Sequence, residues 1–435
     1  MKKLFLASVL LSLFIVMQDG TLLYVLLPQI QQHYATSLSE SIWVMNLYIL
    51  PFALLMVPMG RVADRYGHIR IFLFGLAIYL AGSFLGYLGG SFAFLVGCRF
   101  IQGVGSSILV PVSLVILLRQ YGEGRYTHAI GSWSATCALA AACGPVSAGV
   151  IGHFASWPFT FLLNGVAVSL SLLGMIASMA KSRPESREDE AAPVHRIPRL
   201  WQESETYMLL IGNFFAGFVM NSLLYLLPFM LGNFLDYDSV RVSLTVTPLC
   251  LAVIVSVAIV GRLEKRMPLE WLISTGFFCL LASFCLYIIR EAPLSVYMGA
   301  SFLAGLGLGI VIISITSAWM KKFTYHWLGF GSALLNMLRL GGAVIGSSIS
   351  ASLFSLMVET SLQTGGAAGN IWITRLKESG APVAPIVWES GFGHVVFGVF
   401  AVLSLVPAAM IVWYAAGYSW KRRKQKLAGK DWMRQ

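Results

Sequence analysis

Asp19 stands in VMQDGTLLYVLLP, the one carboxylate set deep in an apolar run long enough to span a bilayer. A charge at that depth costs at least ~2.5–3.5 kcal/mol on insertion scales, so it calls for a partner, a cavity or a proton. Low dielectric raises a carboxyl pKa and a neighbouring cation lowers it; a site balanced between them loads and releases protons near neutral pH. The same residue also reads as a structural carboxylate in a polar contact between helices. Ionisable groups inside a membrane are functional by default, which favours the proton role.

Arg99 and Gln102 lie three apart in LVGCRFIQGVGSS, which puts both on one helix face. Arg99 is the candidate cation that tunes Asp19. A second intramembrane charge, Arg339, follows Asn336 in GSALLNMLRLGGAVIG. It suits either a substrate cavity or a side chain snorkelling toward the nearby Lys321 and Lys322. The expected solute cavity is lined by Thr21, Tyr24, Asn46, Gln102, Asn213, Asn221, Tyr225, Asn336 and Arg339, amide and aromatic groups suited to an amphipathic ligand. Each of these also suits plain helix packing. No phosphate-cradling GxxxxGK[ST], no HExxH and no GxSxG occurs, so nothing supports an enzyme, a metal site or a resident cofactor.

Two further stretches carry structure rather than chemistry. GRVADRYGHIR, with Gly60, Asp64, Arg65, Gly67 and Arg70, makes a tight charged turn, its glycines permitting chain reversal. AAACGPVSAGVIG places Gly144 and Pro145 inside a span, where proline frees a backbone carbonyl, and Gly149 extends a face of small residues for close packing.

These residues must be positioned by membrane helices. Of the 435 residues 57% are hydrophobic and 11% charged, well under the roughly 25% charge of a soluble domain. Apolar runs predict twelve spans at 4–30, 41–60, 69–90, 92–118, 128–153, 157–180, 207–232, 239–261, 270–289, 294–320, 327–357 and 391–418, each near the ~20 residues a bilayer needs. The basic start MKKLFL and the apolar run after it show no small-x-small cleavage site and read as a retained first helix. The six cysteines lie in apolar runs and read as small hydrophobes.

The net charge of +11 would raise nucleic acid in a soluble chain. Here most Lys and Arg fall on one set of loops with both termini, while the opposite loops hold Arg241, Arg290, Arg375 and Lys377. The positive-inside rule then puts both termini in the cytoplasm, and Lys421–Lys424 reads as the stop of a last helix.

An internal repeat divides the chain. Gly97, Phe100, Gly103 and Gly105 recur as Gly299, Phe302, Gly305 and Gly307, and TLLYVLLP is echoed by SLLYLLP. The implied organisation is an all-α membrane protein of twelve helices in two six-helix halves: 1–180, a polar linker 181–205, and 206–435 with an extended external loop 358–390 and a basic tail. The repeat carries Ser301 and Ala304 where the first half has Arg99 and Gln102, so that charge belongs to one half only.

Taken together these motifs resemble the major facilitator superfamily, in particular its drug/proton antiporters. GRVADRYGHIR resembles the superfamily loop signature, RFIQGVGSS the fourth-helix R-x-x-Q-G signature and CGPVSAG the fifth-helix antiporter signature. QDGTLLYVLLP, WPFTFLLN and NMLRLGG are similar to stretches of the branch that usually has fourteen helices; the linker is too short for two more, so a twelve-helix version is implied. The sequence departs from the pattern at His68, Ile69, Tyr24, Ala140 and Ala148. The resemblance implies gating contacts between halves for Asp64 and Arg65, and proton coupling for Arg99. It further implies export-favouring packing for Gly144 and Pro145, and a proton or cation site at Asp19.

The expectation is therefore a proton-driven exporter of a small organic solute or drug, working by alternating access as a monomer in the bacterial inner membrane. Its partners are the solute, protons and lipid, with no nucleic acid and no cofactor beyond the proton gradient. The alternatives are export of an endogenous metabolite or siderophore, import by symport, and a non-transporting sensor or scaffold.

Overall fold

The computed structural model describes residues 2–121, 126–180, 204–234, 237–264, 266–287, 289, 292–323, 328–364, 405, 409–414 and 416. The described residues are almost wholly helical. Eleven helices among them are long and apolar enough to cross a membrane. They are α1 (Lys2–Tyr34), α2 (Trp43–Tyr66), α3 (His68–Leu88), α4 (Phe92–Tyr121), α5 (Tyr126–Phe154) and α6 (Phe159–Ala180) in the first half. The second half has α7 (Ser204–Phe229), α8 (Ser239–Leu263), α9 (Leu269–Tyr287), α10 (Leu294–Met320) and α11 (Leu328–Thr364). Of the expected span at 391–418 only 405, 409–414 and 416 are described, as helix; there Tyr414 donates to the Met208 carbonyl of α7 at 2.6 Å. The linker, the segment 365–390 and the tail cluster 421–424 lie outside the described residues. Helix α11 runs to Thr364, seven residues past the expected end of that span, because no glycine or proline interrupts 358–364.

Local chemistry explains the helix ends. Gly67 adopts φ +95° between α2 and α3, a conformation that disfavours any residue with a Cβ, and so permits the two-helix reversal expected from the loop. Ser37 and Glu40 form a reciprocal capping box on a short helix, Leu38–Ser41, ahead of α2. Asp238 caps α8 by accepting from the Arg241 backbone at 3.1 Å.

The repeat is visible as matching close approaches. Gly103 of α4 sits against the Tyr48 carbonyl of α2, and Gly305 of α10 sits against the Leu249 carbonyl of α8. Gly105 meets Tyr79 of α3, and Gly307 meets the Gly276 carbonyl of α9. A Cβ at any of these four glycines would overlap backbone or a packed side chain, so the same small residues set the same helix spacing in both halves.

Helices α1, α4, α7 and α10 bury most of their surface and form the centre. Large apolar side chains stand exposed on outer helices, including Phe74 of α3, Leu170 and Leu173 of α6 and Phe278 of α9. A soluble protein does not present such a surface on every side; a bilayer solvates it.

Candidate functional site

The two intramembrane charges of the first half meet. Asp19 lies near the middle of the 33-residue α1, and both it and Arg99 of α4 are fully buried. Arg99 Nη1 donates to Asp19 Oδ2 at 2.5 Å, and Asn164 Nδ2 of α6 donates to the other oxygen at 2.9 Å. Arg99 Nη1 also reaches Gln102 Oε1 at 2.8 Å and its Nε donates to the Val44 carbonyl of α2 at 3.2 Å. The guanidinium lies 4.1 Å from the Tyr48 ring centroid, a cation–π contact made stronger by desolvation.

The network spreads from there. Gln102 donates to Ser83 of α3 at 2.9 Å, so the R-x-x-Q spacing serves two purposes: Gln102 holds Arg99 and ties α4 to α3. Ser106 donates to the Tyr48 hydroxyl, which donates to the Val16 carbonyl of α1. A buried ion pair is weak evidence for stability but is strongly destabilising to break by removing one partner, by about 3–5 kcal/mol. Its bonds tie together α1, α2, α3, α4 and α6 of the first half.

Beside it, a crevice of about 260 Å³ opens between α1, α5 and α6, in the part of the membrane away from the Gly67 turn. Gln18, Ser147, Thr160 and Asn164 give it polar lining, and Gln18 donates to Ser147 at 2.6 Å. Asn164 thus touches both the crevice and the Asp19 carboxylate.

Gly144 and Pro145 act as the sequence suggests, with a partner it does not show. Proline at 145 leaves the Ala141 carbonyl without its helical donor, and Thr21 of α1 supplies one at 3.2 Å. A Cβ on Gly144 would stand 2.0 Å from the same Thr21 oxygen, so glycine is needed for α1 and α5 to touch. The Pro145 carbonyl accepts from Ser243 of α8, and Gly149 and Gly152 face Ser243 and Ser239. The small-residue face therefore forms part of the seam between halves.

More polar contacts join the halves at the same level. Tyr24 donates to Asn221 at 2.9 Å, Asn46 donates to Ser348 at 2.8 Å and accepts from Ser347 at 2.9 Å, and Gln29 donates to Ser239 at 2.8 Å. Tyr225 reaches Ser41 of the short helix. All lie toward the end opposite the Gly67 turn. At the turn's own end the ion pairs stay within one half: Asp64 with His68 at 3.0 Å, Glu264 with Lys321, and Glu205 with Lys322 at 3.6 Å. Asp64 and Arg65 are exposed; Arg65 lies over Tyr66, and Arg70 and Gly60 touch no part of the other half through a hydrogen bond. Among the described residues, the Tyr24, Asn46 and Gln29 hydrogen bonds between the halves lie toward the end opposite the Gly67 turn. Hydrogen bonds to Lys321 and Ser317 hold the Glu264 carboxyl below the usual carboxylate range.

The expected cavity residues divide. Thr21 and Gln102 serve the helix contacts just described. Asn213 donates to the Leu335 carbonyl at 2.6 Å and binds α7 to α11 within one half. Tyr24, Asn46, Asn221 and Tyr225 belong to the closed seam. Asn336 and Arg339 remain: Arg339 Nη2 donates to Asn336 at 2.6 Å, both are partly accessible, and Arg339 interacts electrostatically with Cys137 of α5 across the seam. Sequence reasoning did not assign site roles to Ser83, Ser347 or the seam serines. Asn164 had appeared only as the end of WPFTFLLN.

Comparison with known proteins agrees with this architecture. Residues 9–347 match the family model described as Major Facilitator Superfamily. The probable multidrug resistance protein EmrY of Escherichia coli is 23% identical over 408 residues, covering 79% of this chain and 78% of that protein. The methylenomycin A resistance protein of Bacillus subtilis is 26% identical over 394 residues, covering 78% and 84%. The cephamycin export protein CmcT of Amycolatopsis lactamdurans is 34% identical over 178 residues, covering 40% and 36%. In fold, the chain superposes with a TM-score of 0.78 on a bacterial homologue of the human lysosomal transporter Spinster, crystallised inward-facing and occupied, at 14% identity over 95% and 96% of the two chains. The described membrane helices, the motifs and the family match agree: this chain is a multi-pass membrane transporter and belongs to the major facilitator superfamily.

Proposed function

We propose that the protein is a proton-coupled exporter of small organic solutes, working by alternating access in the bacterial inner membrane with its basic end in the cytoplasm. The observation that carries the reading is the buried Asp19–Arg99–Asn164 network, which joins α1, α4 and α6 and touches α2, the helices α1 and α2 also carrying hydrogen bonds to the second half. Helix α1 holds Asp19 and, five residues on, Tyr24 with its bond to Asn221. Helix α2 supplies Val44 and Tyr48 to Arg99 and, between them, Asn46 with its bonds to Ser347 and Ser348.

A proton on Asp19 removes the charge that Arg99 faces and weakens the link between α1 and α4. Arg99 keeps Val44, Gln102 and the Tyr48 face, so the two helices are freed to shift relative to each other. The latches on α1 and α2 then move with them, the closed end opens, and the solute leaves. The proton is then given up toward the basic, cytoplasmic end, so that one proton enters as the solute leaves, and its loss there restores the ion pair and the closed seam. The Asn164 crevice, on the side away from the basic end, supplies polar groups through which a proton reaches Asp19. The printed names of the relatives, multidrug and methylenomycin resistance and cephamycin export, support outward transport of organic solutes.

The test is protection of cells. A bacterial host lacking its major pumps, expressing wild type or Asp19→Asn at equal membrane levels, is challenged with dyes, antiseptics and antibiotics with and without an uncoupler. Protection by wild type alone, cancelled by the uncoupler, is expected. Protection that survives both the substitution and the uncoupler contradicts proton coupling.

A further inference from the structure

Among the described residues, Arg339 is a cation inside the bundle with no acid paired to it. It lies eleven residues into α11, about 16 Å along the helix from Leu328, beyond the reach of a side chain snorkelling to that surface. Its one hydrogen bond among the described residues goes to Asn336 on its own helix, a neutral acceptor. No described carboxylate pairs with it. The deep carboxylate of the described spans, Asp19, is already committed to Arg99 and Asn164.

Among the described residues, Asp19 and Arg99 pair with each other and Arg339 is left without a carboxylate partner. A guanidinium keeps its charge under all physiological conditions and carries five N–H donors, of which Asn336 occupies one. Arg339 is partly accessible, unlike the sealed Arg99, and its charge acts on Cys137 of the other half. It thus lies on the side of α11 nearer the first half. One turn before Cys137 on the same face of α5 stands Trp133, partly exposed and fixed by its indole N–H to Ser113 at 3.0 Å. Around the guanidinium the backbone is rigid, because Gly217 of α7 packs directly on the Arg339 carbonyl.

We propose that Arg339 is the head-group site of the transported solute, that this solute is an organic anion with a carboxylate, and that its apolar body lies against α5 around Trp133. A carboxylate matches the planar fork of a guanidinium with two parallel N–H···O bonds and neutralises the leftover charge. A cationic solute would instead add a second positive charge beside Arg339. The inference rests on the reading of the seam as the solute path and not on the proton coupling assigned to Asp19.

The test is equilibrium binding to the purified full-length protein in detergent, where no gradient exists and coupling plays no part. The probes are 1-pyrenebutyrate and its uncharged amide, matched in apolar body and fluorescence. Wild type is expected to bind the acid at least about tenfold more tightly than the amide. In Arg339→Gln the acid is expected to fall to the amide's affinity, with amide binding showing that the fold is intact; Arg339→Lys keeps the charge without the fork and retains part of the preference. Equal binding of acid and amide by wild type, binding of neither, or a preference that survives Arg339→Gln overturns the proposal. A transporter that shows the preference but ignores a pH gradient would leave this site in place and remove the coupling mechanism alone.

Discussion

The two halves share a scaffold and differ in charge. Around Gly103 and Gly305 the helices approach in the same way, yet the position of Arg99 is taken in the second half by Ser301, which shares a hydrogen bond with Tyr287 at 2.7 Å. Aligned through Tyr24 and Tyr225, the counterpart of Asp19 is Met220. Glycines recur because both halves need the same helix spacing. The ion pair does not recur, so packing does not require it. The first half holds a neutralised pair linked to five helices, and the second holds Arg339, bonded to one neutral side chain. The proposed roles divide in the same way, with proton handling assigned to one half and solute charge recognition to the other.

The largest effect that would break this comparison is at the pair itself. Asp19→Asn leaves Arg99 buried without a counter-charge and is expected to cost about 3–5 kcal/mol, read as a fall in thermal unfolding temperature of the detergent-solubilised protein. Replacing both, Asp19→Ser with Arg99→Ser, imitates the neutral second half. It is expected to recover most of that stability while leaving the protein uncoupled. If the double variant is as unstable as the single one, the pair is architectural and the two halves do not differ in kind.

Gly144→Ala tests the seam side of the first half. The added Cβ collides with Thr21, and overpacking of this sort costs about 1–3 kcal/mol. Gly131→Ala, at a position with open space in the same helix, is the control and is expected to be near neutral in the same unfolding assay.

Asn46→Ala removes two hydrogen bonds between halves, each worth about 1 kcal/mol, and biases the protein toward opening at the latched end. A single cysteine at Gln29 should then label faster with an impermeant maleimide. Unchanged labelling would show that Asn46 is not a latch.

The smallest effect lies at the end that carries the Gly67 turn. Glu264→Gln removes a partly exposed bridge to Lys321 and should cost at most about 1 kcal/mol. Because the folded-state carboxyl sits below its usual range, the bridge contributes above the unfolded pKa and fades as pH falls through the lower folded value. The stability difference between wild type and Glu264→Gln should therefore vanish in acid. A difference that persists there would assign the effect to packing.

Much of this was legible from residue types. Apolar runs located the eleven described spans to within a few residues except at the end of α11, and the Gly repeat marked both pairs of close approaches. Asp19 and Arg99 stood out because charges in lipid are costly, but their meeting was not, since eighty residues separate them and only the tertiary fold aligns α1 with α4. Ser83 and Ser347 gave no signal and Asn164 none beyond closing WPFTFLLN: one amide or hydroxyl among apolar neighbours looks the same whether it caps a carboxylate or its own helix. Thr21 and Asn213 looked like cavity lining and prove to satisfy backbone carbonyls between helices, a role set by where Pro145 and Leu335 fall opposite them. Asp64 and Arg65 carry a loop pattern whose implied contacts between halves are not among the described contacts, where Asp64 pairs with His68.

The central claim, that the Asp19–Arg99 pair couples transport to protons, is tested most directly by separating exchange from drive. Wild type and Asp19→Asn are reconstituted into liposomes with a solute identified from the protection panel. Counterflow exchange without a gradient and accumulation under an imposed pH gradient are measured in parallel. The account predicts that wild type does both, whereas Asp19→Asn still exchanges solute but gains nothing from the gradient. Gradient-driven accumulation by Asp19→Asn equal to that of wild type would contradict it.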